Sequence, residues 1–228
     1  MLARLAALVP PLPHYPRSSE RTADGVVHAV GLVSAALGGG LLLGLAFGRD
    51  HPTMAIALAV YAVSVMLMFA CSAAYNFAGE RTRPWLRRLD HAAIFIMIAG
   101  SYTPFTTLRL RGAWALGMTG AVWGLAATAA LAKLFAPGLD RRLWIGLYLA
   151  FGWIALFALK PLLATVSLAA LVLLVVGGLV YSAGVLVYLR RNLPYRRAIW
   201  HGFVVAAAGV HYAAIMLGVV LAPPPGLS

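Results

Sequence analysis

Charged residues are scarce in this chain, and acidic residues are the scarcest. Asp and Glu together number six among 228 residues, and charged residues of both signs make up 11%. A soluble globular domain carries about a quarter charged residues, whereas 62% of this chain is hydrophobic. This composition excludes an ordinary soluble fold and predicts that lipid surrounds most of the protein surface.

Cysteine is nearly absent, since Cys71 is the only one in the chain. A single cysteine excludes a disulfide framework within the chain. Cys71 lies inside an apolar stretch, where we expect a small buried hydrophobic residue rather than a reactive thiol. A cleavable leader is not expected either, because the short apolar run at residues 1–11 ends in prolines without an A-x-A site. We expect this segment to be retained as a tail.

Seven apolar stretches are long enough to cross a bilayer, and each must be a helix because lipid offers no partner for free backbone groups. The sequence therefore predicts an all-α integral membrane protein with a seven-transmembrane-helix bundle. We divide the chain into a cytoplasmic N-terminal tail (1–24), a single transmembrane domain (25–221) and a short C-terminal tail (222–228). The predicted spans cover residues 25–47, 53–78, 89–108, 113–135, 143–159, 163–188 and 198–221.

Basic residues alternate between the two sides of these spans. The N-terminal tail and the second, fourth and sixth connections hold fourteen of the 18 Lys and Arg residues. The other side holds Arg49, Arg109, Arg111 and Lys160. By the positive-inside rule this places the N-terminus in the cytoplasm and the C-terminus outside. The expected location is the bacterial inner (cytoplasmic) membrane, as a multi-pass protein.

The net charge of +12 would suggest a nucleic-acid partner in a soluble protein. Here the charges occur in short runs between apolar stretches, and no nucleic-acid-binding motif accompanies them. Membrane lipids are therefore the expected partners and nucleic acid is not. The sequence leaves protein partners open.

Polar residues within the spans are costly in lipid and are therefore functional candidates. Glu20, Asp24 and His28 are spaced four residues apart, which places them along one helix face. The predicted topology brings polar groups from four spans to the cytoplasmic end of the bundle. The residues of this predicted cluster are Glu20, Asp24, His28, Ser72, Asn76, Asp90, His91, Arg197 and His201.

Each of these residues also has a structural explanation. Glu20 and Asp24 favour a helix N-terminus, His28 can bond between helices, and Asp90 can pair with Arg87 or Arg88. Three further histidines are predicted to lie outside the cluster. His211 lies about 15 Å deeper than His201 by helical rise and is expected to pack or hydrogen-bond there, while His14 belongs to the tail and His51 to an outer loop.

Three segments carry a resemblance to a known family: residues 20–31, 89–105 and 200–211. The chain resembles the hemolysin III family, the bacterial branch of the superfamily that includes the progestin and adiponectin receptors. The resemblance implies seven spans with an inward N-terminus, in agreement with the charge pattern.

The resemblance also implies a zinc ion near the cytoplasmic face, held by one histidine of a Ser-x3-His motif and two of a His-x3-His motif. Here Asn76 and Arg197 stand at two of the three ligand positions, and His201 is the sole retained ligand. Asparagine is a poor zinc ligand, and a guanidinium repels a cation. Zinc is thus expected from the family, but the predicted site is degenerate.

Two structural hypotheses follow from this degenerate site. In the first, Arg197 takes the place of the metal and pairs with Asp90. In the second, His28, Asp90 and His201 hold a metal through a different ligand set.

Two functions follow from the same residues. We expect a non-enzymatic hemolysin III-like protein that acts in membrane perturbation, lipid sensing or envelope homeostasis. The alternative is a zinc-dependent hydrolase of a membrane lipid amide, in which Asp90 and Ser72 assist catalysis. A transporter or channel is disfavoured because the outer halves of the spans supply few polar residues.

Overall fold

The computed structural model describes residues 14–49, 51–136, 138, 140–190 and 192–223, and all regular secondary structure in these ranges is helical. The all-α prediction is confirmed for this part of the chain. Most of the two predicted tails, residues 1–13 and 224–228, lies outside the described residues. Residues 18–24, which hydropathy assigned to the N-terminal tail, form the first turns of a helix.

The described residues form eight α-helices, one short 3-10 turn and one short π turn. Proline stands near the start of the second and third helices, where its missing N–H costs no hydrogen bond. His51 caps the second helix by accepting from the amide of Met54 at 3.3 Å. The helices are α1 (Ser18–Phe47), α2 (Pro52–Phe77), α3 (Arg83–Leu108), α4 (Gly112–Phe135), α5 (Arg141–Gly152), α6 (Leu159–Thr165), α7 (Leu168–Leu189) and α8 (Arg196–Ile215), with a 3-10 turn (Ile154–Ala158) before α6 and a π turn (Met216–Val220) after α8.

Six helical stretches of the described residues are long and apolar enough to cross a bilayer. They are α1, α2, α4, α7, the stretch Arg141–Thr165 and the stretch Arg196–Val220. The protein is therefore a multi-pass membrane protein. The remaining long helix, α3, is more polar because its first turns carry arginines together with Asp90 and His91.

The boundary between the fifth and sixth predicted spans differs from the structure. We predicted a connection at Pro161, but this proline lies within α6, and the chain turns at residues 166–167 instead. The physical reason is position: Pro161 occupies the first turn of α6, where a backbone N–H has no helical acceptor to lose. Together α5, the 3-10 turn and α6 form one membrane-length stretch.

The helices form a closed ring. Helix α1 packs between α2 and α8, α3 packs between α2 and α4, and α7 packs on α8. The stretch α5 to α6 closes the ring through smaller contacts with α3, α4 and α7. The ring encloses a cavity of about 760 Å³.

Close contact between α2 and α3 depends on Gly100. A Cβ atom at this position would lie 1.9 Å from Ser64 Oγ and 2.6 Å from Ser64 Cβ. Glycine therefore permits a backbone approach that any side chain would prevent. The approach brings the polar ends of α2 and α3 together at the same end of the ring.

Candidate functional site

The helices deliver polar side chains to one end of the ring, which we call the polar end. It comprises the N-terminal ends of α1, α3 and α8 and the C-terminal end of α2. Six polar residues meet there, all of them buried except the half-buried His201. These six form the polar cluster: Asp24, His28, Ser72, Asn76, Asp90 and His201.

Asp24 and His28 lie one helical turn apart on α1. Asp24 is fully buried, and His28 is 3% exposed. The His28 Nδ1 atom lies 2.8 Å from the backbone oxygen of Asp24. Because a carbonyl oxygen only accepts, Nδ1 carries the proton and Nε2 is an acceptor. Ser72 Oγ lies 3.2 Å from this Nε2 and donates to it.

His201 joins α8 to α1 through the Asp24 carboxylate. Its Nδ1 atom lies 2.6 Å from Asp24 Oδ1, and its ring centre lies 4.4 Å from that of His28. The other carboxylate oxygen, Oδ2, accepts a hydrogen bond from the Tyr15 hydroxyl. The buried Asp24 carboxylate thus accepts hydrogen bonds from two side chains, one on each oxygen, and its backbone oxygen holds a third, His28.

The chain before α1 covers the polar cluster. His14 Nε2 donates to Asn76 Oδ1 at 3.2 Å, and the His14 backbone oxygen accepts from Arg197 Nε at 3.0 Å. The Arg197 guanidinium also lies over the Tyr15 ring, 5.5 Å from its centre. We call residues 14–17 the N-terminal cap.

The structure corrects the prediction that His14 lies outside the cluster, and it adds Tyr15, which was not among the predicted residues. A short segment before a helix has no periodicity that could reveal its path. The only available signal was the pair of aromatic and imidazole rings, His14 and Tyr15, in an otherwise proline-rich stretch. The prediction for His211 is confirmed, because it bonds the Leu174 carbonyl at 3.3 Å within the bundle. His51 lies outside the cluster and caps α2.

The environment of the cap shifts two pKa values. Partial burial, together with the nearby Arg197 cation, lowers the pKa of His14 to about 4. Burial and the hydrogen bond to Asp24 raise the pKa of Tyr15 well above its usual value. At neutral pH the cap therefore presents a neutral imidazole and a neutral phenol to the cluster.

Three further residues of the predicted cluster have different positions. Asp90 is buried beside Ser72 and within electrostatic range of His201. His91 bonds the carbonyl of Arg87 at 2.6 Å and faces the cavity. Glu20 lies on α1 one turn before Asp24, and none of the hydrogen bonds or ion pairs within the described ranges includes it.

The hypothesis that Arg197 pairs with Asp90 is wrong. All ion pairs among the described residues are between a histidine and an aspartate. Arg197 instead bonds the cap, because the His14 carbonyl and the Tyr15 ring lie within its reach.

A known protein family matches the part of the chain that contains the polar cluster. The family model described as "Haemolysin-III related" matches residues 17–212, which include all six residues of the polar cluster. The chain belongs to the haemolysin-III family. The resemblance stated from the three sequence segments is thereby confirmed.

Several curated proteins are similar over most of their length. The "Hemolysin-3 homolog" of Bacillus subtilis (strain 168) is 29% identical over 205 residues, covering 90% of this chain and 96% of that protein. "Hemolysin-3" of Bacillus cereus is 28% identical over 204 residues, covering 88% and 92%. The human "Monocyte to macrophage differentiation factor" is 28% identical over 208 residues, covering 88% and 84%.

The residues of this haemolysin-III protein do not fit the three-histidine zinc set that the resemblance implies. The two substituted positions carry an amide and a guanidinium, which supply neither an imidazole nitrogen nor a carboxylate oxygen to a metal. Both Asn76 and Arg197 bind the same cap residue, His14. Asparagine and arginine thus act together here as a receptor for the cap.

The described part of the chain contains one group of potential metal ligands, Asp24, His28 and His201, whose ligand atoms lie within 4.8 Å of one another. Both histidines bond Asp24 through Nδ1: His28 bonds the backbone oxygen and His201 bonds the carboxylate. The arrangement is a hydrogen-bonded triad that ties α8 to α1, and each histidine keeps its Nε2 atom for another partner.

Proposed function

We propose that this protein binds a membrane lipid inside its helical ring and acts non-enzymatically, as a lipid sensor of the haemolysin-III type. The cavity carries this proposal. Its volume of about 760 Å³ lies within the range of small-molecule sites, and it extends from the polar cluster to apolar residues such as Phe105 and Leu162. A cavity that is polar at one end and apolar at the other matches an amphiphile.

The proposal includes seven spans, with α3 as the third. Helix α3 lies between α2 and α4 in the ring, and Asp90 is buried there, whereas Pro84, Trp85 and Arg87 at its start are exposed. The alternation of basic residues supports an N-terminus in the cytoplasm and the polar end at the cytoplasmic side of the inner membrane. Accessibility labelling of cysteines placed at Ser18 and Leu221 in whole cells, on a Cys71→Ser background, tests this orientation. Labelling of both from the same side would contradict it.

Lipid binding is tested with a matched pair of substitutions on α3. Ile98 lines the cavity, whereas Ile96, two residues away, does not. We expect lipid extracted from purified Ile98→Trp to fall well below the amount in the parent protein, and Ile96→Trp to retain it. Equal lipid content in both variants, with both folded by circular dichroism, would contradict the proposal.

The alternative function, a zinc-dependent hydrolase of a membrane lipid amide, is distinguished by metal content. The triad of Asp24, His28 and His201 favours this alternative, and Asp90 and Ser72 would be its catalytic residues. Zinc in stoichiometric amount that is lost in His201→Ala but kept in His211→Ala would overturn the non-enzymatic proposal. Metal well below one equivalent in zinc-supplemented preparations would support it.

A further inference from the structure

A second group of side chains at the polar end of the cavity lies apart from the triad. Arg87 on α3, Lys133 on α4 and Arg141 on α5 all line the cavity. All three lie within electrostatic range of the His91 imidazole, so they converge on one region. We call these three residues the basic rim.

No residue of the basic rim forms an ion pair in the described part of the chain, where every ion pair involves a histidine. Lys133 Nζ lies 4.2 Å from the centre of the Trp144 ring, and the Arg141 guanidinium lies 4.7 Å from that of Tyr188. Aromatic faces hold these cations in place but do not neutralise them. The rim is therefore an arrangement of fixed positive charge facing a cavity.

Two buried N–H donors accompany the rim. Arg141 Nε and Trp144 Nε1 are both inaccessible to solvent and have no acceptor within the described residues. Trp144 is 3% exposed and lines the same cavity. Arg141 does reach one acceptor, because its Nη2 donates to the Tyr188 carbonyl oxygen at 3.5 Å. Buried donors are nearly always paired, so the two unpaired ones show that the rim has more N–H donors than acceptors.

Arg87 is exposed, but the positive-inside rule does not explain the positions of Lys133 and Arg141. Arg142 directly follows Arg141, is exposed, and does not line the cavity. An exposed arginine such as Arg142 is sufficient for the positive-inside rule, which does not require the side chain to face a cavity. Lys133 and Arg141 are instead half-buried against aromatic rings.

We propose that the basic rim binds the phosphate group of an anionic phospholipid, with the acyl chain extending into the apolar part of the cavity. Guanidinium groups match phosphate oxygens through paired N–H donors, and lysine adds a compact charge. This inference rests on the proposed lipid-binding function and names the headgroup class.

The experiment uses the full chain, delipidated in detergent and titrated while bound ligand is measured by native mass spectrometry. The probes are phosphatidylglycerol, diacylglycerol with the same acyl chains, and inorganic phosphate. The test variant is Lys133→Gln with Arg141→Gln, and the matched control is Arg142→Gln. Circular dichroism and size-exclusion profiles establish that each variant is folded.

We expect the parent protein and the Arg142→Gln control to prefer phosphatidylglycerol over diacylglycerol by at least about tenfold, and the double variant to lose this preference. Competition by inorganic phosphate without any bound lipid would identify a free phosphate as the source of the same chemistry. Should diacylglycerol bind as tightly as phosphatidylglycerol, the phosphate site is refuted while the lipid-binding function stands. Absence of binding by both lipids would refute the proposed function itself.

Discussion

Asp24 Oδ1 lies 2.6 Å from His201 Nδ1, so a single hydrogen bond joins the first and last long helices across 177 positions of sequence. Asp24 is fully buried and His201 is half-buried, so the bond is largely shielded from solvent. The same carboxylate binds Tyr15 of the cap, and the same residue's backbone oxygen holds His28. Asp24 is therefore the centre of the polar end.

Loss of the Asp24 carboxylate should destabilise the bundle. Asp24→Ala leaves the His201 Nδ1 and Tyr15 hydroxyl donors buried without an acceptor, which costs about 3–5 kcal/mol when a buried charged partner is removed. Asp24→Asn keeps one acceptor oxygen and should cost about 1–2 kcal/mol. The apparent melting temperature in detergent measures both. Glu20→Gln, one turn away, is the control, and a comparable loss in this variant would contradict the assignment.

Removal of the Arg197 guanidinium should release the N-terminal cap. Arg197→Gln removes the donor to the His14 carbonyl and the contact with Tyr15, so the chain before α1 should detach. Trypsin cleavage after Arg17 should become faster, while the bundle stays folded because the Asp24 to His201 bond remains. Arg190→Gln, at an exposed position, should leave the cleavage rate unchanged. A cap that stays protected in Arg197→Gln would show that this arginine does not hold it.

Docking of the cap should weaken in acid. The pKa of His14 is about 4 when docked and about 6.5 when free, so the free cap binds more protons between these values. Docking is therefore fully favourable above about pH 6.5 and is progressively lost as the pH falls toward 4. The groups that face His14 are Asn76, Arg83, Asp24 and Arg197. Mobility of a spin label at Ser18 on a Cys71→Ser background should rise over this interval.

The control for the acid response is His14→Gln. Glutamine can donate to Asn76 Oδ1 but does not titrate, so the mobility of the label should be independent of pH between 4 and 6.5. A response that persists unchanged in His14→Gln would assign the titration to another group.

The approach of α2 and α3 should not tolerate a side chain at Gly100. Gly100→Ala places a methyl group against Ser64, and overpacking of this kind costs about 1–3 kcal/mol. Gly124→Ala on α4 meets no atom within 4 Å and should be neutral or slightly stabilising. Ser64→Gly in combination with Gly100→Ala should restore the apparent melting temperature. Equal effects of the two single glycine substitutions would argue against the close contact.

Much of the architecture follows from local properties of the chain. Long apolar stretches must be helical in lipid. Each predicted span overlaps a helix, but α1 and α3 begin six or seven residues before the predicted spans, and Pro161 was taken as a break. The convergence of Asp24, His28, Ser72, Asn76 and His201 was also predictable. Each lies near one end of its predicted span. Because neighbouring spans run antiparallel, the end of one span and the start of the next lie on the same side of the membrane.

The partners within that cluster were not predictable in the same way. Arg197 was expected to pair with Asp90 because opposite charges attract. In the structure a neutral carbonyl and an aromatic ring of the cap lie closer to it.

The amino-acid sequence by itself determined the family, the helical class and the end of the bundle at which polar groups collect, because hydropathy and charge act along the chain. Only the tertiary structure decided that Asn76 and Arg197 hold His14, that Asp24 joins α1 to α8, and that the basic rim faces a cavity. These relationships depend on distances between residues far apart in sequence, which side-chain packing sets and no local pattern records.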